Sequence, residues 1–321
     1  MRKKWTDKDV EFLKENYGTK TAQELADYFG VSKQAIIDKC RKCGISAKMN
    51  RGEFWTKEED ELLKQHFEYA PKHYIEKLFP NRTWTSILQR GLKTLNLNRL
   101  SQDRYYIDYK FFETWNEQTA YMIGFIMADG YLKYKDKNRG ESSLQFELAE
   151  YDRDILDKFV NILQYEGSVN TSKRNTVKLF INNKKIIEDL INKGVPSKNK
   201  TFSSCIPKDL PDELFRHFLR GLFDGDGSIC LDKNNSLVFS LLGTEQLMYE
   251  CQNKISELSP IDISNLKIYN RNNHGCNVYN LQFHRKSTLC FYDWLYKDST
   301  IYLDRKYKKY ITFKRNRGGL L

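Results

Sequence analysis

The chain of 321 residues carries 53 Lys and Arg against 42 Asp and Glu, a formal charge of +11, and is 40% hydrophobic, 14% aromatic and 30% charged. This balance is too apolar for a disordered chain and too polar for a membrane protein, and the longest uncharged apolar run, Ala120 to Ala128, falls far short of the roughly 20 residues that a spanning helix needs. Basic charge among many aromatics points to a polyanionic partner, most simply nucleic acid. Seven scattered cysteines and a charged opening, Met1-Arg2-Lys3-Lys4, predict neither a disulfide framework nor a secretory signal. The expected location is the cytoplasm, at the nucleoid of a bacterial or phage-infected cell.

The first hundred residues hold an internal repeat. Trp5-Thr6-Asp7-Lys8-Asp9 returns as Trp55-Thr56-Lys57-Glu58-Glu59-Asp60, and Leu13 returns as Leu63. Each unit predicts three short helices, the first unit spanning 1–49 and the second 50–100. Thr6 caps a helix with Val10, Leu13 and Tyr17 on one face, and a second helix turns Leu25, Ala26 and Phe29 inward. Gly30-Val31-Ser32 is a tight turn whose serine caps a third helix up to Cys43. In the second unit Pro71 opens the middle helix and Thr83 caps Trp84 to Leu95.

These units resemble Myb/SANT-like, homeodomain-type helix-turn-helix modules. The resemblance implies third helices that meet DNA, through Lys33, Lys39, Arg41 and Lys42 in one module and Arg82, Arg90 and Lys93 in the other. A plain solvated face is the alternative. Residues 101–115 interrupt the pattern and are expected to be a linker.

From 116 onward helices alternate with paired strands. The order helix-strand-strand-helix-strand-strand-helix occurs once over 116–210 and again over 211–321, which predicts a duplicated α+β unit. The two leading helices align at a constant offset of 97, Thr119 to Gly130 over Arg216 to Gly227. Each has small residues four apart, Gly124 with Ala128 and Gly221 with Gly225, and each ends in Asp-Gly. Small residues at this spacing share one helix face and let two backbones approach closely. Side by side, such helices bring Asp129 and Asp226 together at two negative dipole ends, an arrangement that calls for a hard cation. Two carboxylates, a divalent metal and a phosphodiester make a hydrolytic site.

On these residues, above all FLRGLFDGDGSI at 218–229 and the looser GFIMADGYL at 124–132, the chain resembles a LAGLIDADG homing endonuclease of the single-chain, two-motif type. The resemblance covers roughly 116–315. It extends to Lys200-Thr201 with Ile206-Pro207, and to Tyr302-Leu303-Asp304-Arg305-Lys306-Tyr307. It implies that Asp129 and Asp226 bind Mg²⁺, with Mn²⁺ able to substitute, aided by the backbone carbonyls of Ala128 and Gly225. It also implies a lysine near each scissile phosphate, by position Lys200 and Lys306, with Lys198 and Arg305 as rivals. Glu150 is a candidate for positioning water.

The same family fold implies a saddle of strands astride a long, asymmetric stretch of double-stranded DNA. Independently, Val177, Leu179 and Ile181 alternate with Lys178 and Phe180, and Tyr279, Leu281 and Phe283 alternate with Asn280, Gln282 and His284. Tyr131, Lys133 and Lys135 share one face, as do Lys267, Tyr269 and Arg271. Long polar side chains on a strand surface suit major-groove readout. The basic stretch Arg305 to Arg317 suits phosphates. Cys40-Arg41-Lys42-Cys43 lacks a second ligand pair for zinc, and its Cys40 is expected in the core. The expected activity is metal-dependent, site-specific cleavage of double-stranded DNA by a monomer. A catalytically silent DNA-binding regulator and a maturase acting on its own intron RNA remain alternatives.

Overall fold

A computed structural model describes residues 3–17, 20–45, 55–101, 103–134, 142–197, 204–233, 236–259, 266–271, 278–284 and 288–318. The chain divides into two units, Met1–Glu68 with Ile75–Asn98, and Tyr69–Tyr74 with Arg99–Leu321.

The described residues of the first unit form helices and their connections. Its opening module contains α1 (Asp7–Asn16), α2 (Ala22–Phe29) and α3 (Lys33–Lys42). Thr6 and Thr21 each form a reciprocal capping box, with Asp9 and Glu24, so two backbone N–H groups find partners at each helix start. Ser32 caps α3, and Gly30 between α2 and α3 takes a left-handed φ of 65°, a conformation that costs a residue with a Cβ. Leu13, Leu25, Ala26, Ile36, Cys40 and Ile45 form the core. The repeat supplies α4 (Lys57–His66), α5 (Lys72–Leu78) and α6 (Trp84–Gln89). The continuous helix expected up to Leu95 instead widens into a π turn over Arg90–Thr94, where Leu95 N–H reaches back to the Arg90 carbonyl at 2.9 Å.

The second unit repeats one αββαββα plan. The first pass is α7 (Glu117–Asp129), β1 (Tyr131–Lys133), β2 (Ser143–Ala149), α8 (Arg153–Ile162), β3 (Asn170–Thr171), β4 (Thr176–Ile181) and α9 (Lys184–Asn192). The second is α10 (Phe215–Asp226), β5 (Gly227–Leu231), β6 (Leu237–Gly243), α11 (Glu245–Leu258), β7 (Lys267–Asn270), β8 (Tyr279–His284) and α12 (Thr288–Tyr296), followed by α13 (Asp304–Gly318). Each pass makes a four-stranded antiparallel sheet, in order β1-β2-β4-β3 and β5-β6-β8-β7. This is the duplicated α+β architecture expected from the sequence.

Strand alternation works as sheets with one covered face require. Val177, Leu179 and Ile181 are buried while Lys178 and Phe180 face outward. Behind the sheets lie two aromatic clusters, Phe125 with Phe146 and Phe159, and Phe223 with Phe239 and Tyr292. Burying each such ring contributes about 1.5–3 kcal/mol. Among the described residues no helix is long and apolar enough to cross a membrane.

Candidate active site

The two motif helices α7 and α10 pack backbone to backbone. A Cβ on Gly124 would lie 2.1 Å from the Phe218 carbonyl oxygen, and one on Gly221 would lie 2.0 Å from that of Tyr121. These contacts are images of each other under the offset of 97, because Tyr121 corresponds to Phe218 and Gly124 to Gly221. Contacts advance in the same direction along both helices, so the helices run parallel about a pseudo-twofold axis. The axis passes between two equivalent residues, Ala128 and Gly225, where a Cβ on Gly225 would come within 2.2 Å of the Ala128 Cβ and 3.3 Å of Asp129 Oδ2. The parallel arrangement places Asp129 and Asp226 at the same end, next to this close approach. Their helices end there with dipoles of the same sign, which adds to the negative potential of the carboxylates.

Beside this end lies a cavity of about 320 Å³ lined by Met127, Ala128, Leu222, Asp226 and Thr244. Two carboxylates and the carbonyls of two helix ends are hard oxygen donors. Among the described residues, no three or more His, Cys, Asp or Glu side chains group as metal ligands. A pair of carboxylates fits Mg²⁺, which takes one or two from protein and leaves its other positions to water and phosphate oxygens.

Lys306, at the start of α13, is 2% exposed. Its ammonium donates to the carbonyls of Phe223 (2.5 Å), Asp224 (2.8 Å) and Gly227 (2.6 Å), with that of Gly225 at 3.5 Å. It thus caps the C-terminus of α10, whose last carbonyls have no partner within the helix. Burial pushes its pKa down to about 8, against the pull of Asp224. Arg305 forms a paired contact with Asp152 at 2.8 and 2.9 Å. Glu150 is exposed at the end of β2, and Lys198, Lys200 and Lys135 lie outside the described residues.

Several residues around the site were given no role from the sequence. Asp224 is buried within α10, where its Oδ2 accepts from Tyr121 Oη and from Leu303 N–H, both at 2.8 Å, while Oδ1 has no partner. Burial raises its pKa to about 6. Across the halves, the fully buried Arg220 donates to Glu117 (2.7 Å), to the carbonyls of Ile301 and Leu295, and to Nδ1 of His217. Burial, with Arg220 and Arg216 alongside, lowers the His217 pKa to about 3, so the ring is neutral. The segment before α13 ties itself to the first half again through Lys158, which bonds Asp304 at 2.6 Å and the Tyr302 carbonyl at 2.7 Å. The available signal was Arg220 and Asp224 placed among Phe218, Leu219, Leu222 and Phe223 of one helix. Nothing in the spacing said which partners they meet.

The outward face of the first sheet carries Tyr131 and Lys133, both exposed, and Lys178, which pairs with Glu147 at 2.9 Å. On the second sheet Lys267, Tyr269 and Arg271 are exposed and Gln282 is half-buried. Asn280 is buried, its side-chain oxygen accepting from Ser240 Oγ at 2.7 Å, and the His284 side chain lies outside the described residues. In the helical modules Lys33, Arg41, Lys42 and Lys93 are exposed, and Lys39 lies 5.9 Å from the Trp5 ring centre. Arg82 and Arg90 are instead clamped on α4, paired with Glu59 (3.0 and 2.9 Å) and Asp60 (2.8 and 2.6 Å), with both guanidiniums against Trp55.

No family model matches the chain. Over 95 residues it is 33% identical to the uncharacterized protein Lin1255/Lin1742 of Listeria innocua, which takes in 29% of this chain and 40% of that protein. Over 81 residues it is 33% identical to the uncharacterized protein Lin2408 of the same organism, 25% of this chain and 99% of that protein. The chain therefore spans about two fifths of the first relative and nearly all of the second. Among solved structures it is similar to the LAGLIDADG meganuclease I-AabMI bound to uncleaved DNA, with a TM-score of 0.46, 15% identity, and coverage of 64% of this chain and 91% of that one. It is also similar to the LAGLIDADG meganuclease I-CpaMI bound to uncleaved DNA, with a TM-score of 0.43, 14% identity, and coverage of 63% and 90%. At these scores the likeness is one of general outline.

Proposed function

We propose that this chain, which belongs to one family with the Listeria innocua protein Lin2408, is a monomeric, site-specific double-strand DNA endonuclease of the LAGLIDADG type. The observation that supports the reading is the close parallel contact of α7 and α10 at Ala128 and Gly225, with an aspartate following from each half. Asp129 and Asp226, with the carbonyls of Ala128 and Gly225, would hold Mg²⁺ or Mn²⁺. Bound there, the cation supplies Lewis acidity toward phosphate oxygens and acidifies a bound water.

The protein's own part is placement. The outward sheet faces offer Tyr131, Lys133, Lys267, Tyr269, Arg271 and Gln282 to a duplex, and exposed Lys33, Arg41, Lys42 and Lys93 add phosphate contacts from the helical modules. Lys306 draws the last carbonyls of α10 together and so aims Asp226, while its charge offsets the negative end of that helix. Lys200 is assigned the matching place in the first half by its position in the sequence. Asp224, held by Tyr121 and Leu303, ties α10 to both α7 and the segment before α13.

The test is incubation of the full chain with a randomised duplex library and Mg²⁺, with EDTA as control, followed by sequencing of cut ends. Metal-dependent cuts at one long asymmetric sequence support the proposal, and Asp129→Asn or Asp226→Asn must then abolish cleavage while retaining binding. Nicking at the wild-type rate by either variant refutes the site. Retention of DNA without any cutting refutes the activity and leaves a DNA-binding regulator.

A further inference from the structure

A second cavity, of about 520 Å³, lies at the edge of the first sheet, away from the paired aspartates. Its walls include Asp103, Arg104 and Tyr105 from the segment ahead of α7, and Tyr165, Phe180 and Asn182 from the sheet and its connections. The volume is within the range of small-molecule sites, about 300–1,000 Å³. Two of its aromatic rings are unusually open to solvent, Tyr105 at 40% and Phe180 at 44%. The Tyr105 ring and the Phe180 backbone are held in place. Tyr165 meets Tyr105 edge-on at 5.9 Å, its hydroxyl donates to the Phe180 carbonyl at 2.8 Å, and the Arg104 guanidinium lies 5.4 Å from the Tyr105 ring centre.

Asp103 is the second half of the observation. Asn183 caps α9 with its side-chain oxygen, which accepts from Ile186 N–H at 3.0 Å, and donates from Nδ2 to Asp103 at 2.8 Å. Ser101 also bonds Asp103, and both bonds fall on Oδ2. A carboxylate has about four acceptor positions, so a helix cap here orients an acceptor with capacity to spare. Burial raises the Asp103 pKa to about 6, which leaves it ionised at pH 7.5. Flat aromatic rings with a carboxylate and an amide suit a flat ring that offers N–H donors, and Arg104 in the same wall offsets the charge of Asp103.

We propose that this cavity binds an unstacked nucleobase, guanine above all, stacked on Phe180 or Tyr105 and donating from its N1–H and amino group to Asp103. Aromatic stacking of this kind contributes to polynucleotide binding without needing base pairing. Phe180 lies opposite Gln145, which in turn lies opposite Tyr131, so one ring belongs both to the cavity and to the outward row of the sheet. A base extruded from a polynucleotide lying on that row is the source this placement favours. That last step rests on the DNA-bearing role of the sheet, and the recognition of the base does not.

The test is calorimetric titration of the full-length chain in EDTA with guanosine monophosphate, uridine monophosphate and ribose 5-phosphate. The proposal expects saturable binding of guanosine monophosphate, uridine monophosphate weaker by about tenfold, and no binding of ribose 5-phosphate. Phe180→Ala, at an exposed position, weakens guanosine monophosphate by about tenfold, in keeping with the worth of one base–aromatic stack. Asp103→Asn removes the preference over uridine monophosphate. Absence of saturable binding, equal binding of ribose 5-phosphate, or an unchanged Phe180→Ala variant overturns the proposal. Competition by a duplex with one bulged guanosine, and not by the fully paired duplex, assigns the base to a polynucleotide. Competition by neither assigns the cavity to a free nucleotide. Failure of the endonuclease reading in the library experiment leaves this titration unchanged.

Discussion

Replacing Gly221 with alanine separates helix propensity from helix contact. In the interior of a free helix the change stabilises by about 1 kcal/mol, because glycine has more backbone entropy to lose. Here the new methyl would lie 2.0 Å from the Tyr121 carbonyl oxygen and 2.7 Å from the Phe125 nitrogen. Both are backbone atoms of α7 and cannot rotate aside, so restoring an ordinary contact means moving the helices apart by about 1.4 Å, given that contacts under 3.4 Å are rare. Overpacking of this kind costs about 1–3 kcal/mol, and the rigidity of the obstacle argues for the upper end. The net expectation, a cost near 3 offset by the gain of about 1, is a loss of about 2 kcal/mol in urea denaturation. It is also a loss of about 10²-fold in cleavage rate, the usual consequence of a 1 Å misplacement in a catalytic constellation. Gly124→Ala, at the symmetry-related position, must behave alike. A neutral or stabilised Gly221→Ala variant would refute the close parallel packing, and with it the meeting of Asp129 and Asp226.

Arg220→Met takes from Glu117 its cationic partner across the halves, leaving it the Thr300 donors, and is expected to lower stability by about 3 kcal/mol, with partial recovery in the Glu117→Gln/Arg220→Met double variant, measured by thermal unfolding. No recovery would mean that the pair is not coupled. His217 has a folded pKa of about 3, below its ordinary 6.5, so the unfolded chain binds a proton that the native one does not. Its contribution is present above pH 6.5 and is lost as pH falls toward 3, at about 1.4 kcal/mol per unit, or about 2 kcal/mol by pH 5. Asp224, raised from 3.8 to about 6, acts in the opposite sense between those values, its contribution being lost as pH rises through 6. His217→Gln should therefore lose less stability than the parent between pH 6.5 and 5 in urea titrations, and an identical pH dependence would rule the histidine out. Neutralising Lys33, Arg41, Lys42 and Lys93 together in the full chain should reduce the slope of log affinity against log salt by about 0.9 for each phosphate contact removed. An unchanged slope would mean that the helical modules do something other than grip DNA.

What the sequence settled by itself is local. Thr6, Ser32 and Thr83 start helices where they stand, because a cap needs only a side-chain oxygen and an N–H two or three residues on. The alternation through Val177, Leu179 and Ile181 decided which strand face is covered, since the period of a strand leaves no choice. The repeated small residues at an offset of 97 told that two helices would meet and on which face. Tertiary structure decided the partners of long charged side chains. Arg82 and Arg90 looked available to phosphates from their helix alone, yet each reaches back to a carboxylate on α4. By its position in the sequence Lys306, at the start of the basic stretch from Arg305, is expected near a scissile phosphate, and packing of α13 turns it inward onto the last carbonyls of α10. Glu117 and Arg220 are 103 positions apart and touch only because the two halves close on each other. The physical reason is range. Caps and periodicities act within a few residues of chain, whereas a lysine or arginine sweeps several ångströms of space, and which acceptor it finds depends on elements brought together from anywhere in the sequence.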